Sequence, residues 1–178
     1  MKYYGYAGTV LRIDLSKRKI AKGELEKDFI VDFLGGRGFN SRRLFEEIPR
    51  GLDPLSPENK LMFATGPLVG TMFPTASRFN VSAKSPLTGI LGDSNAGGHF
   101  AAEMKYAGYD QIIIEGRSPD PVYIFVDDDI VRIEDARHLS GRDVYEVDKI
   151  LREDLEDNSV RTAIVGPAAE NGVKFAGI

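Results

Sequence analysis

Cysteine is absent from this chain of 178 residues, and histidine occurs only as His99 and His138. Without cysteine, the chain itself contains no disulfide, no thiolate zinc site and no cysteine-ligated iron–sulfur cluster. Any metal here must therefore be held by oxygen ligands, by one or two imidazoles, or by a cofactor that brings its own ligands.

Long apolar runs and clustered positive charge are also missing. No stretch of about eighteen apolar residues occurs, so no membrane-spanning helix is predicted, and the N-terminal residues lack the pattern of a signal peptide. The formal net charge is −4 and no basic stripe is present, which argues against a nucleic-acid partner. With 42% apolar and 28% charged residues, the chain has the composition of a globular domain, and we expect a cytoplasmic location.

The spacing of apolar residues predicts a mixed α+β fold. Strands are predicted at residues 9–15, 20–24, 61–64, 80–83, 112–115, 122–126, 130–134, 162–165 and, at the end of the chain, 175–178. Helices are predicted at residues 27–34, 41–48, 99–107 and 144–155. In the first two helices, helical spacing directs Phe29, Phe33, Leu44 and Phe45 toward the core.

The order of the elements repeats along the chain. Each half contains a hairpin, a helical stretch and a strand that ends in a Gly-Pro pair, at residues 66–67 and 166–167. We therefore predict a single domain over residues 1–178, with two repeats at about 1–110 and 111–178; chance recurrence of common elements is the alternative. The chain ends without a helix cap or a polar tail, so we expect it to be truncated from a longer protein.

Three segments could bind a ligand. Arg78 stands among small residues before a strand, and its planar guanidinium is suited to phosphate, although an ordinary surface arginine would look the same. The polar loop predicted at residues 93–98 leaves backbone groups open to a phosphate or a hard cation. It matches neither the P-loop nor the dinucleotide fingerprint, and a plain turn is the alternative. The third segment, Gly-Gly-Arg-Gly at residues 35–38, is typical of close packing between helices.

No catalytic set accompanies these segments. His99 could be a ligand, a proton carrier or a structural residue, and Glu103 lies one helical turn beyond it; His138 is assigned no role. The acidic run at residues 127–129 is interpreted as a hairpin turn rather than a cation site. No nucleophile-plus-base signature is present, so the residues alone indicate half of a binding site.

Several motifs in a fixed order carry a resemblance to a known family. They are Asp-Pro-Leu-Ser-Pro-Glu-Asn-Lys-Leu at 53–61, Thr-Gly-Pro-Leu-Val-Gly at 65–70, Arg-Phe-Asn-Val at 78–81, Lys-Ser-Pro-Leu-Thr-Gly at 84–89, Asn-Ala-Gly-Gly at 95–98, Lys-Tyr-Ala-Gly-Tyr-Asp at 105–110, Gly-Pro-Ala-Ala-Glu-Asn at 166–171 and Val-Lys-Phe-Ala at 173–176. Together they resemble the N-terminal domain of the tungsten-containing aldehyde ferredoxin oxidoreductases over nearly the whole chain.

The resemblance implies an internally duplicated α+β fold, in which two β-sheets with helices form a base for a tungsten, or sometimes molybdenum, bis-pterin cofactor. It implies that Arg78 binds a pterin and lies between it and an iron–sulfur cluster. It also implies that the backbone carbonyl of Asn95 reaches a Mg²⁺ ion that bridges the pterin phosphates. Gly97, with Ala96 beside it, would contact the cofactor through the backbone.

Other parts of such an enzyme are implied to lie outside this chain. A [4Fe–4S] cluster would be bound by missing C-terminal domains, and the whole enzyme would oxidise an aldehyde to a carboxylic acid and pass electrons to ferredoxin. The fragment alone would be inactive, and a homo-oligomer is left open. A stand-alone, non-catalytic β-rich binding module is the alternative. Phe73 and Phe100 depart from the smaller residues of the family pattern, which leaves the subfamily and the substrate open.

Overall fold

The computed structural model describes residues 3–178, and a six-stranded mixed sheet lies at its centre. Its strands are β1 (Thr9–Asp14), β2 (Lys19–Glu24), β3 (Lys60–Thr65), β4 (Arg78–Lys84), β5 (Leu91–Gly97) and β6 (Gln111–Glu115). Their order across the sheet is β2-β1-β6-β3-β4-β5. β1 and β6 are parallel, and the other neighbours are antiparallel. β5 is therefore an edge strand.

Helices and a separate hairpin complete the fold. The helices are α1 (Lys27–Phe33), α2 (Arg37–Glu47), α3 (Phe100–Tyr106), α4 (Val144–Asp154) and the short α5 (Pro167–Glu170). The hairpin consists of β7 (Val122–Asp127) and β8 (Ile130–Asp135), which form their own two-stranded sheet. The predicted α+β class with two sheets is confirmed. Among the helices described between residues 3 and 178, none has the length and apolarity that a membrane span requires.

Side chains alternate between the two faces of the six-stranded sheet along each strand, and both faces are covered by other elements. On one face, Val10 and Met62 pack with Phe29 of α1 and Phe39 of α2. The other face packs against α3 and the hairpin, with these buried residues: Leu11, Ile13, Phe63, Phe79, Ala101, Met104, Ile112 and Ile133. A smaller cluster joins α4 to residues that follow the hairpin: Ala136, Leu139, Val147 and Leu151.

The polar segment predicted as a loop at residues 93–98 is mostly a strand. β5 pairs with β4 along its whole length, although Asp, Asn and Gly are disfavoured in strands. Pairing with β4 therefore decides its conformation, and local propensity does not. All of its residues except Gly92 are exposed.

Residues 162–165 and 175–178, both predicted as strands, form no strand in the structure. An apolar run becomes a strand only when a neighbouring backbone completes its hydrogen bonds, and no ladder to these segments is found in residues 3–178. The second half thus shares a hairpin and a helix with the first half but lacks a paired strand. The internal duplication stays a prediction.

The helix predicted at residues 41–48 begins earlier, at Arg37. Gly35 and Gly36 have positive φ angles of 150° and 52°, and the N–H of Gly36 donates to the carbonyl of Thr65 at 3.0 Å. A Cβ on Gly35 would lie 2.7 Å from the Thr65 oxygen. These glycines therefore let the start of α2 approach the end of β3.

One residue predicted for the core faces solvent instead. Phe45 is 82% exposed, whereas its neighbour Leu44 is buried. Successive residues on an α-helix are rotated by about 100°, so the face that buries Phe39 and Leu44 turns Phe45 outward.

Candidate functional site

The segments that carry Arg78 and Asn95 lie side by side on neighbouring strands. Arg78 begins β4 and is opposite Gly97, while Asn95 is opposite Asn80. Because side-chain positions alternate along a strand, Arg78, Asn80, Asn95 and Gly97 occupy the same face of the sheet. This is the face covered by α2, because the Asn40 side chain of α2 donates to the side-chain Oδ1 of Asn80 at 2.9 Å.

Ala96, the fourth residue predicted for the site, occupies the opposite face of β5. It is opposite Phe79 in the register and lines a cleft of about 330 Å³, to which the adjacent Gly97 also contributes, together with Phe100 and Arg161. The two faces of β5 thus differ. Asn95 and Gly97 share a face with Arg78, whereas Ala96 lies on the face that carries Phe79 and Phe100.

The backbone of β5 presents polar groups at alternate residues to the open edge of the sheet. The N–H of Ser85 donates to the carbonyl of Ile90 at 2.8 Å, so this pair at the hairpin turn is hydrogen-bonded. Hydrogen-bonded and non-hydrogen-bonded pairs alternate in an antiparallel ladder, and the register makes Asp93, Asn95 and Gly97 members of non-hydrogen-bonded pairs. Their N–H and C=O groups therefore point away from β4.

Side chains support this assignment of directions. The side chain of Asn59 donates to the Lys84 carbonyl at 3.0 Å and accepts from the Lys84 N–H at 3.3 Å. The backbone of Lys84 thus faces away from β5, as the alternation requires for a residue next to the Ser85 pair. We call the outward backbone groups of residues 93–97 the open edge.

The open edge suits a hard cation or an anion. Backbone carbonyl oxygens are ligands that Mg²⁺ accepts, and outward N–H groups can bind phosphate. A Cβ on Gly97 would lie 3.7 Å from the Ser77 carbonyl oxygen, which is ordinary contact. Packing within the described residues therefore does not require a glycine at this position, and the small residue keeps the edge accessible.

A polar network that sequence reasoning missed connects the open edge to the interior. The Asp93 carboxylate accepts from the Asn80 side-chain amide at 2.5 Å and pairs with Arg37 at 2.5 Å. Asn80 is only 2% exposed, and its Oδ1 accepts from Asn40 at 2.9 Å and from the Ser82 hydroxyl at 2.7 Å. The available signal was an asparagine at the edge of each of two segments with apolar periodicity: Asn40 directly precedes the predicted helix at 41–48, and Asn80 begins the predicted strand at 80–83.

Neither histidine forms a hydrogen bond to the predicted site residues within 3–178, although His99 lines the cleft beside Ala96. His99 is exposed and precedes α3, and its side chain makes no hydrogen bond to Glu103 or to any other residue within 3–178. His138 Nε2 lies 3.0 Å from an Asp154 carboxylate oxygen. Across the part of the chain that the structure describes, no cluster of His, Asp and Glu is arranged to hold a metal.

The acidic run at residues 127–129 lies at the hairpin turn that the sequence predicted: Asp127 ends β7, and Asp128 and Asp129 form the turn. Asp128 adopts a positive φ of 47°, and Asp129 pairs with Lys22 at 2.6 Å. The run therefore ties the hairpin to β2.

The fold and the site define an α+β domain in which the backbone groups of an exposed edge strand lie next to the strand that begins with Arg78. The chain matches the family described as "Aldehyde ferredoxin oxidoreductase, N-terminal domain" over residues 10–178. It belongs to this family, and the resemblance drawn from its motifs is confirmed.

Individual relatives agree with this assignment. The chain is 46% identical over 98% of its length to the tungsten-containing aldehyde ferredoxin oxidoreductase of Pyrococcus horikoshii, and covers 29% of that protein. It is 34% identical to a more distant relative, the WOR-like subunit of an aliphatic sulfonate oxidoreductase from Pyrococcus furiosus, with 98% of the chain and 30% of the relative covered.

A solved structure is also similar. The active-site complex BamBC of benzoyl coenzyme A reductase, in complex with 1,5-dienoyl-CoA, matches with a TM-score of 0.93 and 40% identity, over 94% of this chain and 26% of that chain. The chain therefore spans less than a third of the length of these relatives.

Proposed function

We propose that this chain is the cofactor-binding domain of a tungsten, or molybdenum, oxidoreductase that oxidises aldehydes to carboxylic acids with ferredoxin as electron acceptor. The observation that carries the proposal is the open edge of β5 beside Arg78, in a chain that belongs to the aldehyde ferredoxin oxidoreductase family. An edge built from backbone groups suits a cofactor that brings its own sulfur ligands for the metal.

The residues of the chain have separate roles in this proposal. Arg78 donates hydrogen bonds to a pterin or its phosphate, the carbonyl of Asn95 ligates a Mg²⁺ ion that bridges the phosphates, and the backbone at Ala96 and Gly97 contacts the cofactor. When bound, the metal–pterin group supplies the two-electron redox chemistry. The chain itself binds and orients it.

The remaining functions are proposed to reside in further domains. This chain has no cysteine, so the ligands of a [4Fe–4S] cluster must come from elsewhere in the enzyme. Those domains would also complete the aldehyde pocket and contact ferredoxin. The isolated domain is then inactive, and the enzyme acts in the cytoplasm.

The test is to express the complete reading frame with tungstate and molybdate and to measure bound tungsten, molybdenum, magnesium and pterin, together with aldehyde-dependent reduction of ferredoxin. We expect tungsten or molybdenum with pterin in the wild type. Gly97→Val should retain the fold but lose most of the metal and pterin, because the added side chain would project beside Arg78 on the face where the cofactor is proposed to bind. Asn95→Ala should retain its magnesium, because the proposed ligand is a backbone carbonyl.

Two results would contradict the proposal. Loss of magnesium in Asn95→Ala, with the fold intact, would show that the side chain and not the carbonyl is the ligand. Wild-type protein without tungsten, molybdenum or pterin would favour the alternative of a non-catalytic binding module. Because one relative in the comparison is an aliphatic sulfonate oxidoreductase subunit, the substrate panel should include sulfonates beside aliphatic and aromatic aldehydes.

A further inference from the structure

The edge strand β5 has no buried apolar side chain to anchor it to the sheet. Its sequence is Leu-Gly-Asp-Ser-Asn-Ala-Gly. Gly92 is half-buried, and the other residues of the strand are exposed. Asp93 as a whole residue is exposed, but its side chain is only 18% exposed although it carries a charge. Burial of apolar surface therefore contributes little to holding β5 against the sheet.

Asp93 connects this strand to the interior. Its carboxylate accepts from Asn80 and pairs with Arg37 at the start of α2, each at 2.5 Å. Hydrogen bonds to charged groups are stronger than those between neutral groups. The amide of Asn80 also donates to the Ser94 carbonyl at 2.9 Å, so one buried side chain holds two successive residues of β5.

The network continues to the centre of the sheet. Asn40 donates to Asn80 at 2.9 Å and accepts from the Gln111 amide at 2.9 Å. All three side chains are buried, at 0–2% exposure. Because they are buried and bonded to one another, Asn80 is held in one orientation, and a fixed Asn80 can meet Asp93 in only one register.

Register decides which backbone groups face the open edge. A slip of one residue would exchange hydrogen-bonded and non-hydrogen-bonded positions. The Asn95 carbonyl would then point toward β4 and no longer toward a ligand. Asp93 is two residues from Asn95, on the same face and with the same backbone orientation.

We infer that Asp93, held by Asn80 and Arg37, is the positioning residue that fixes the register of β5 and thereby aims the Asn95 carbonyl at the cofactor. This inference rests on the proposed function for its ligand, but its structural half does not depend on any ligand.

The experiment compares Asp93→Ala, Asp93→Asn and Arg37→Gln in the protein expressed from its complete reading frame. Hydrogen exchange of the peptide that covers Leu91–Gly97 reports the strand, and bound magnesium and tungsten report the cofactor. Asp93→Ala should exchange about tenfold faster in this peptide, since a charge-assisted hydrogen bond is removed. Asp93→Asn keeps an acceptor for Asn80 and should be intermediate, and Arg37→Gln should have the smallest effect.

Ser94→Ala is the matched control, because Ser94 lies on the other face of the same strand and makes no side-chain hydrogen bond within residues 3–178. It should change neither hydrogen exchange nor metal content. Exchange of the α4 peptide shows whether a variant is unfolded as a whole; if Asp93→Ala unfolds globally, the same comparison is made with Asp93→Asn.

The outcomes separate the two proposals. Unchanged exchange of the β5 peptide in both Asp93 variants overturns the positioning role. Faster exchange with normal magnesium and tungsten overturns the link to the cofactor but leaves the proposed function standing. A wild type without cofactor defeats the proposed function and with it the aiming of the Asn95 carbonyl, while hydrogen exchange still decides whether Asp93 holds the strand.

Discussion

An ion pair joins strand β1 to helix α2 beside the first residue of β3. The Arg12 guanidinium donates to both carboxylate oxygens of Glu47, at 2.9 and 2.5 Å, and Lys60 lies 3.4 Å from the same carboxylate. Burial raises the pKa of Glu47, but the hydrogen bonds and positive charges of Arg12 and Lys60 outweigh it. The resulting pKa lies below the ordinary value of 4.5, so the folded state favours the ionised carboxylate.

This pair should make the stability of the protein depend on pH. Because the pKa of Glu47 is lower in the folded than in the unfolded state, its contribution is present above the unfolded pKa and is lost as the pH falls through the folded pKa. We expect the free energy of unfolding to decrease as the pH falls below the ordinary value of 4.5 and through the lower pKa of the folded state. Glu47→Gln should be less stable at neutral pH and show a weaker pH dependence in urea denaturation.

Glu103→Gln is the control for this measurement, because Glu103 is exposed and forms no ion pair within the residues described. Its pH dependence should match that of the wild type. Identical slopes for Glu47→Gln and the wild type would show that the Arg12–Glu47 pair does not contribute to acid sensitivity.

Helix α4 begins with a capping box. The Asp143 carboxylate accepts from the N–H groups of Tyr145 and Glu146, both at 2.9 Å, and the Glu146 carboxylate accepts from the Asp143 N–H at 3.2 Å. These bonds satisfy backbone donors that the first turn of a helix leaves free. The cap fixes where α4 starts and so which of its residues face the hairpin.

Asp143→Ala should lower the free energy of unfolding by about 1 kcal/mol, the usual cost of losing an N-cap side chain. Thermal or urea unfolding would measure the loss. Lys149→Ala serves as a comparison on the same helix. Lys149 is exposed, and its ion pair with Glu153 is long, at 3.7 Å, so its loss should change stability by a few tenths of a kcal/mol at most. Equal losses in the two variants would refute the contribution of the cap.

The sequence predicts elements well where one local signal suffices. The 3.6-residue spacing of Val147 and Leu151 was enough to predict α4, and the alternating pattern was enough to predict β1. β5 was missed because its residues disfavour a strand and only β4 makes them extended. The Asn40–Asn80 contact was missed because it joins positions forty residues apart. The direction of the Asn95 carbonyl was beyond prediction, because it depends on the register of the hairpin.

At the scale of the whole molecule, the loop between β3 and β4 is distinctive because it exposes several large apolar side chains. Met72 is fully exposed, and Phe73 and Leu68 are 58% and 49% exposed. A group of large exposed apolar side chains on one loop can mark an interface. Since the chain covers 29% of the Pyrococcus horikoshii relative, we propose that further domains of the enzyme cover this loop.

Residues 1–178 expressed alone should therefore associate through this loop. We expect the apparent mass from light scattering to rise with concentration and the double variant Met72→Ser, Phe73→Ser to reduce that rise. Tyr145→Ser, which removes an exposed aromatic residue from α4, should leave it unchanged. A wild-type chain that remains monomeric at every concentration would contradict this expectation.

The outward carbonyl of Asn95 has a consequence for how such a site can be detected. A backbone group remains in place when the side chain of its residue is replaced. Alanine substitutions at residues 94 and 95 would therefore not reveal the site, and residue 96 is already alanine. Once Asp93 has fixed the register, residues 94–96 need only small size and an extended conformation, and many different residues supply both. Insertions, prolines and bulky replacements are the informative mutations here, because they alter the path of the chain or block access to it.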